Sequence, residues 1–316
     1  MQPYTRIVVN TFAQYVRTII NLILTLYSSR LVLSTLGVDD YGIYSLVAGV
    51  VSMLSFLTNS LVGSTQRFLS VSQGKGDLNN LKVVFGNSLL LHVIVGAVIT
   101  LILESLTPFI FDGFLNIPSN RIQVAKVLYQ QVIWMVYISF IASPFKALLV
   151  SRENIVYVSI IDVLDGFLKV ALVLLLPYVN SDKLMAYGWI LFAIQGFNLF
   201  AYIVYPAFKY EECVIPRIKT FNWEFIKKLS GYTGWVAYSS AVISCRNQGL
   251  AIVLNRVMGP MINAAYGIGT QISGMLSFVS SSFNNAIAPQ LMASEGKGNR
   301  DRMWVLAQKN SKFSFL

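Results

Sequence analysis

The sequence predicts an all-α membrane protein, a polytopic helical bundle of about eight transmembrane helices followed by the start of a ninth. Three observations carry this. Hydrophobic residues fill 55% and charged residues 12% of the 316 positions, with a mean hydropathy of +0.61, far more apolar than a soluble domain. Apolar runs recur at the ~20-residue length that crosses a ~30 Å hydrocarbon layer at ~1.5 Å per helical residue. The basic residues behind the net charge of +10 fall in the gaps between those runs, which is the pattern of membrane topology rather than of a nucleic-acid surface.

The expected spans are approximately 7–33, 41–63, 83–106, 127–150, 155–178, 184–206, 229–254 and 262–286, with 303–316 beginning a ninth helix. The N-terminal segment lacks a short apolar core followed by a small-residue cleavage site, so it reads as a retained first span. Turn and breaker signals separate the runs: Gly37-Val38-Asp39-Asp40, Gly74-Lys75-Gly76-Asp77, Ile117-Pro118-Ser119-Asn120, Pro177, Gly259-Pro260 and Gly296-Lys297-Gly298. The Gly74–Asp77 segment is a turn, because it lacks the strand and the Lys-Ser/Thr pair of a phosphate-binding loop. With Lys169 and Arg246 set aside, 17 of the remaining 22 lysines and arginines lie in or next to one set of alternate loops. That bias places the N-terminus, position 75 and the segment after 286 in the cytoplasm, and position 182 outside. Cys213 and Cys245 indicate neither a disulfide framework nor a metal cluster.

The chain repeats itself. Leu33-Ser-Thr-Leu-Gly37 with Tyr41-Gly42-Ile43 returns as Leu254-Asn-Arg-Val-Met-Gly259 with Tyr266-Gly267-Ile268, and the Gly-Lys-Gly turn returns at 296–298, at an offset of about 222 to 225 positions. Six helices lie between the copies, so both run in the same direction. A six-helix unit implies an N-terminal lobe over residues 1–215 that is complete. It also implies a C-terminal lobe over 216–316 that is partial, two helices and the start of a third. The expectation is a truncated protein.

Leu36-Gly37-x-x-x-Tyr41-Gly42-x-Tyr44, followed by Gln66-Arg67-Phe68-Leu69 and the Gly-Lys-Gly-Asp turn, resembles the polysaccharide-biosynthesis membrane proteins of the O-antigen flippase type. These are relatives of the multidrug and toxin extrusion carriers and of the lipid II flippase, in the multidrug/oligosaccharidyl-lipid/polysaccharide exporter superfamily. The resemblance implies two six-helix lobes in a V, alternating access, and a polyprenyl-diphosphate-linked oligosaccharide as cargo for O-antigen or other cell-surface polysaccharide. It implies a bacterial inner-membrane location, membrane lipids as surroundings, and other polysaccharide-assembly proteins as candidate partners. It implies no cofactor, metal or catalytic residue.

Charges inside spans are costly and usually face a wet cavity or a partner. In the fifth span Asp162, Asp165 and Lys169 share a helix face, and Asp165 precedes Lys169 by four, the favourable order for an ion pair. Either the pair is structural, with Asp162 near the cytoplasmic interface, or the face lines a cavity where Lys169 attracts diphosphate and Asp162 or Asp165 couples an ion. Arg246 lies in the seventh span among Ser239, Ser240, Ser244, Asn247 and Gln248. It either packs between helices or clamps phosphate through two parallel hydrogen bonds. Arg17, three turns from Arg6, either snorkels to the headgroups or joins the same cavity. The substrate-binding candidates are thus Arg17, Lys169 and Arg246, and the ion-coupling candidates Asp162 and Asp165. His92 reads as a polar contact between helices. Tyr41, Tyr44, Trp223 and Trp304 read as interface anchors. The competing functions are a small-molecule antiporter, for which the two acids would suit a cationic cargo, and a membrane glycan polymerase or acyltransferase. The enzyme would need a larger outer loop than the 8 to 20 residues expected.

Overall fold

The computed structural model describes residues 3–52, 54–111, 117–213, 221–258 and 260–315. The loop with Arg217 and Lys219, the lobe boundary expected at 215, Gly259, and the side chains of Asn247 and Gln248 fall outside the described residues. All the described elements are helical: α1 Pro3–Leu36, α2 Val38–Ser52, α3 Ser55–Lys75, α4 Leu78–Phe109, α5 Ile122–Ser151, α6 Ile155–Leu175, α7 Lys183–Lys209, α8 Trp223–Met258, α9 Pro260–Gly296 and α10 Arg300–Phe315, with a 3₁₀ turn at Leu176–Tyr178.

Each expected span has its helix, with one difference. The run 41–63 is divided between α2 and α3, and Leu54 forms a turn between them. The 15 residues of α2 reach only ~22 Å, short of a bilayer. Among the described residues, four helices combine span length with sufficient apolarity, α1 (from Thr5), α4, α5 and α7. α6 has the length, but Asp162, Asp165 and Lys169 interrupt its apolar character.

α5 is the centre of the helices that precede α8. It packs against α2, α3, α4 and α7, and Leu128, Tyr129, Ile133, Phe140, Leu148 and Leu149 are sealed from solvent. α1 lies on α6 and α9 with two chemically distinct faces. Phe12, Ile19, Ile23 and Leu26 are exposed, as a lipid-facing stripe would be. On the other side Asn10, Gln14, Arg17, Asn21, Thr25 and Ser28 follow one another at intervals of three and four. This polar stripe runs ~27 Å along the helix.

Helix ends are tied at both extremities. At one, Arg121 bridges Asp40 and Asp182, its Nε donating to Asp40 Oδ1 at 2.8 Å, and so joins the α1–α2, α4–α5 and α6–α7 connections. Burial opposes charge on Asp182, but the Met185 amide, the Arg121 guanidinium and the Leu184 amide outweigh it and hold the carboxyl below its ordinary value. At the other extremity Arg152 Nε donates to Glu212 at 2.6 Å. There Gln290 Nε2 on α9 donates to the Glu153 carboxylate at 3.0 Å, and Asn10 Nδ2 on α1 donates to the Glu153 carbonyl at 2.9 Å.

The repeat has a structural counterpart at this second extremity. Gly76 (φ +72°) and Gly298 (φ +71°) both take the left-handed conformation that favours glycine. Asp77 and Asn299 then accept from the amides of Asn80 and Arg302, each at 3.0 Å, capping α4 and α10. Between them α3 crosses α9 so closely that a Cβ on Gly74 would lie 2.2 Å from the Ala293 carbonyl oxygen. A Cβ on Gly296 would lie 2.1 Å from that of Val71. Val71 and Ala293, like Gly74 and Gly296, stand 222 positions apart, so the contact is reciprocal, as at a local two-fold axis.

Candidate functional site

Four helices, α1, α5, α6 and α7, bring polar side chains together. Asp162 on α6 accepts from Arg17 Nη1 on α1 at 2.9 Å and from the Tyr202 hydroxyl on α7 at 2.8 Å. Lys146 Nζ on α5 stands 3.6 Å from the same carboxylate. One turn along α6, Asp165 accepts from Asn198 Nδ2 on α7 at 2.6 Å and pairs with Lys169 Nζ at 2.7 Å. The spacings explain the meeting. Asp162, Asp165 and Lys169 form one face of α6, Asn198 and Tyr202 are four apart on α7, and the two helices pack together.

Two clefts open on this cluster. One of about 320 Å³ is bounded by Asn59, Ser143 and Lys146 as well as by the α6 face. The other, about 840 Å³, runs between α1, α2, α5, α6 and α7 and has Asn21, Ser28, Tyr41, Tyr44 and Tyr187 on its walls. They share Asp162, Asp165, Lys169 and Gln195. Both volumes lie within the ~300–1,000 Å³ of small-molecule sites. Arg17, Lys146 and Lys169 set three positive charges against the two carboxylates, leaving the cluster one charge positive. Lys169 is the most accessible of them, its side chain 42% exposed.

Of the candidates from sequence, the structure joins Arg17 to Asp162 and Lys169 to Asp165. Arg17 therefore turns inward to a partner rather than outward to headgroups. Arg246 stands exposed on α8 and lines neither cleft. His92 is fully buried, but its Nδ1 lies 2.7 Å from the Ser88 carbonyl of its own helix, not of a neighbour. Tyr41 and Tyr44 line the larger cleft, whereas Trp223 and Trp304 are exposed. Lys146, Asn198, Tyr202 and Tyr187 were not singled out from sequence. Lys146 lies inside the expected span 127–150, and α5, which continues through Ser151, carries it to the cluster. The four-residue spacing of Asn198 and Tyr202 opposite an acidic face was the one available signal.

No family model matches the chain. The protein named "Uncharacterized membrane protein EpsK" of Bacillus subtilis (strain 168) is 22% identical over 322 residues, covering 98% of this chain and 61% of that protein. Among solved structures, an outward-facing multidrug resistance MATE family transporter of the MOP superfamily aligns over 99% of this chain and 69% of its own, with a TM-score of 0.82 at 16% identity. A MOP superfamily transporter from Pyrococcus furiosus Vc1, whose binding pocket is described as of reverse polarity, gives 0.82 at 14% identity over the same shares. A MATE protein in the bent conformation gives 0.84 at 16% over 99% and 70%. The chain has the fold of these transporters, that of a multi-pass membrane protein. It spans about three fifths of the length of the curated relative it matches.

Proposed function

We propose that this chain acts in a transporter that flips a polyprenyl-diphosphate-linked oligosaccharide from the cytoplasmic to the outer leaflet of a bacterial inner membrane, by alternating access, for O-antigen or other cell-surface polysaccharide. One observation carries the reading. Both acids in the cleft are already paired, Asp162 with Arg17 and Lys146 and Asp165 with Lys169, so the surplus charge is positive and suits a diphosphate. In this reading Lys169, with Arg17 behind it, attracts the anion to the cleft, Arg246 attracts it from its exposed place on α8 outside the clefts, and Asp162 and Asp165 couple an ion to the cycle. The alternative, a small-molecule antiporter, draws on the same two carboxylates.

The two part in a binding experiment on the detergent-solubilised chain. Farnesyl diphosphate is expected to bind and a lipophilic cation such as tetraphenylphosphonium is not. Lys169→Ala should weaken the diphosphate about tenfold or more, since a charge-assisted contact contributes ~1.5–3 kcal/mol, with Lys169→Arg retaining part of it. Preferential binding of the cation would reverse the assignment.

The proposed orientation has its own test. In a variant with Cys213 and Cys245 replaced by serine, a membrane-impermeant maleimide applied outside should label Ser181→Cys and spare Lys75→Cys, because the loops near 75 belong to the cation-rich set. Labelling of position 75 from outside would overturn it.

A further inference from the structure

The two ends of the larger cleft differ in chemistry. Gly166 on α6 faces Asn21 and Leu24 on α1, and farther along the same pair of helices Val32 packs with Val173 and Leu176. Lys169 therefore stands near the level of Thr25, and the cleft continues for about seven more residues of α1, roughly 10 Å. Along that distance its walls carry no charge. Thr25, Ser28 and Ser29 come first, followed by the rings of Tyr41, Tyr44 and Tyr187 beside Val32. Tyr44 meets Tyr187 edge-on with ring centroids 5.0 Å apart, and Tyr41 lies 6.2 Å from Tyr44. Tyr187 is only 5% exposed, which fixes the arrangement.

We propose that this uncharged end is a saccharide subsite, with Tyr41, Tyr44 and Tyr187 as its aromatic wall and Thr25, Ser28 and Ser29 as its hydroxyl-binding groups. The assignment rests on the flippase reading and deepens it. A pyranose presents C–H bonds on its faces and hydroxyls around its rim. A tyrosine offers a flat apolar surface with a polar tip, and Ser and Thr hydroxyls both donate and accept. A lipid tail would gain nothing from the hydroxyl-bearing walls, and a cation would require an unpaired acid among the rings. An anion joined to an uncharged polyhydroxylated ring matches the order of groups from Lys169 to Tyr44.

The test compares two probes on the solubilised full chain, farnesyl diphosphate and farnesyl-diphospho-N-acetylglucosamine. The glycosylated probe is expected to bind about tenfold tighter. Tyr44→Leu should erase that difference while leaving farnesyl diphosphate affinity unchanged, and Tyr44→Phe should keep most of it. Lys169→Ala should weaken both probes alike. Equal affinities in the unaltered chain, or a Tyr44→Leu effect of the same size on both probes, would overturn the saccharide subsite and leave the anion site standing. Failure of both probes to bind would overturn the subsite together with the flippase reading.

Discussion

Gly296→Leu is expected to lower the stability of the chain by about 3 kcal/mol, the upper end of what overpacking costs, read as a fall in the thermal unfolding midpoint in detergent. The glycine's missing side chain is where the Val71 carbonyl of α3 sits, and that oxygen belongs to a helix backbone that cannot rotate away. Gly74→Leu should act alike, since it meets Ala293 in the same manner. Gly63, on the exposed side of α3 with open space around it, supplies a control of opposite sign. Gly63→Ala should stabilise by up to ~1 kcal/mol through helix propensity. Spin labels at the exposed positions Lys75 and Lys297, in the two equivalent turns, should move apart in Gly296→Leu. An unchanged melting point together with an unchanged label distance would refute the close crossing.

That crossing was partly legible in advance. The Gly-Lys-Gly turn occurs twice at one offset, and glycine at Gly76 and Gly298 follows from their positive φ. What the sequence did not disclose is that Gly74 and Gly296 touch the opposite copy, because a helical glycine looks the same whether it faces a backbone or open space. The division of α2 from α3 was also hidden. The apolar run from Leu46 to Leu57 contains no proline and continues through the break.

The site shows the same limit at the level of side chains. Asp162, Asp165 and Lys169 announce a polar face through helical spacing alone, and the Asp165–Lys169 pair is local enough to read directly. The partner of Arg17 lies 145 positions away, so only packing could decide between the headgroups and Asp162. Tyr41 and Tyr44 stand near a span end, where tyrosines usually mark the interface. Their use as a cleft wall depends on Tyr187, which α7 delivers from the other side.

Asp162→Asn should destabilise the chain by ~2–4 kcal/mol, and more than the double variant Arg17→Gln/Asp162→Asn does. The carboxylate holds Arg17 at 2.9 Å, Lys146 at 3.6 Å and the Tyr202 hydroxyl at 2.8 Å. An amide of the same shape keeps a hydrogen-bonding oxygen but leaves two cations facing each other with no counter-charge. Removing one partner of a buried pair costs ~3–5 kcal/mol. Asp162 and Arg17 are about a quarter exposed, which lowers the figure. Taking Arg17 away as well removes one of the stranded charges, so the two substitutions should be coupled, with an interaction energy of ~1–2 kcal/mol in a double-mutant cycle. Additive losses would mean that the two side chains do not meet. A double variant no more stable than Asp162→Asn would show that Lys146, rather than Arg17, is the cation the carboxylate chiefly holds.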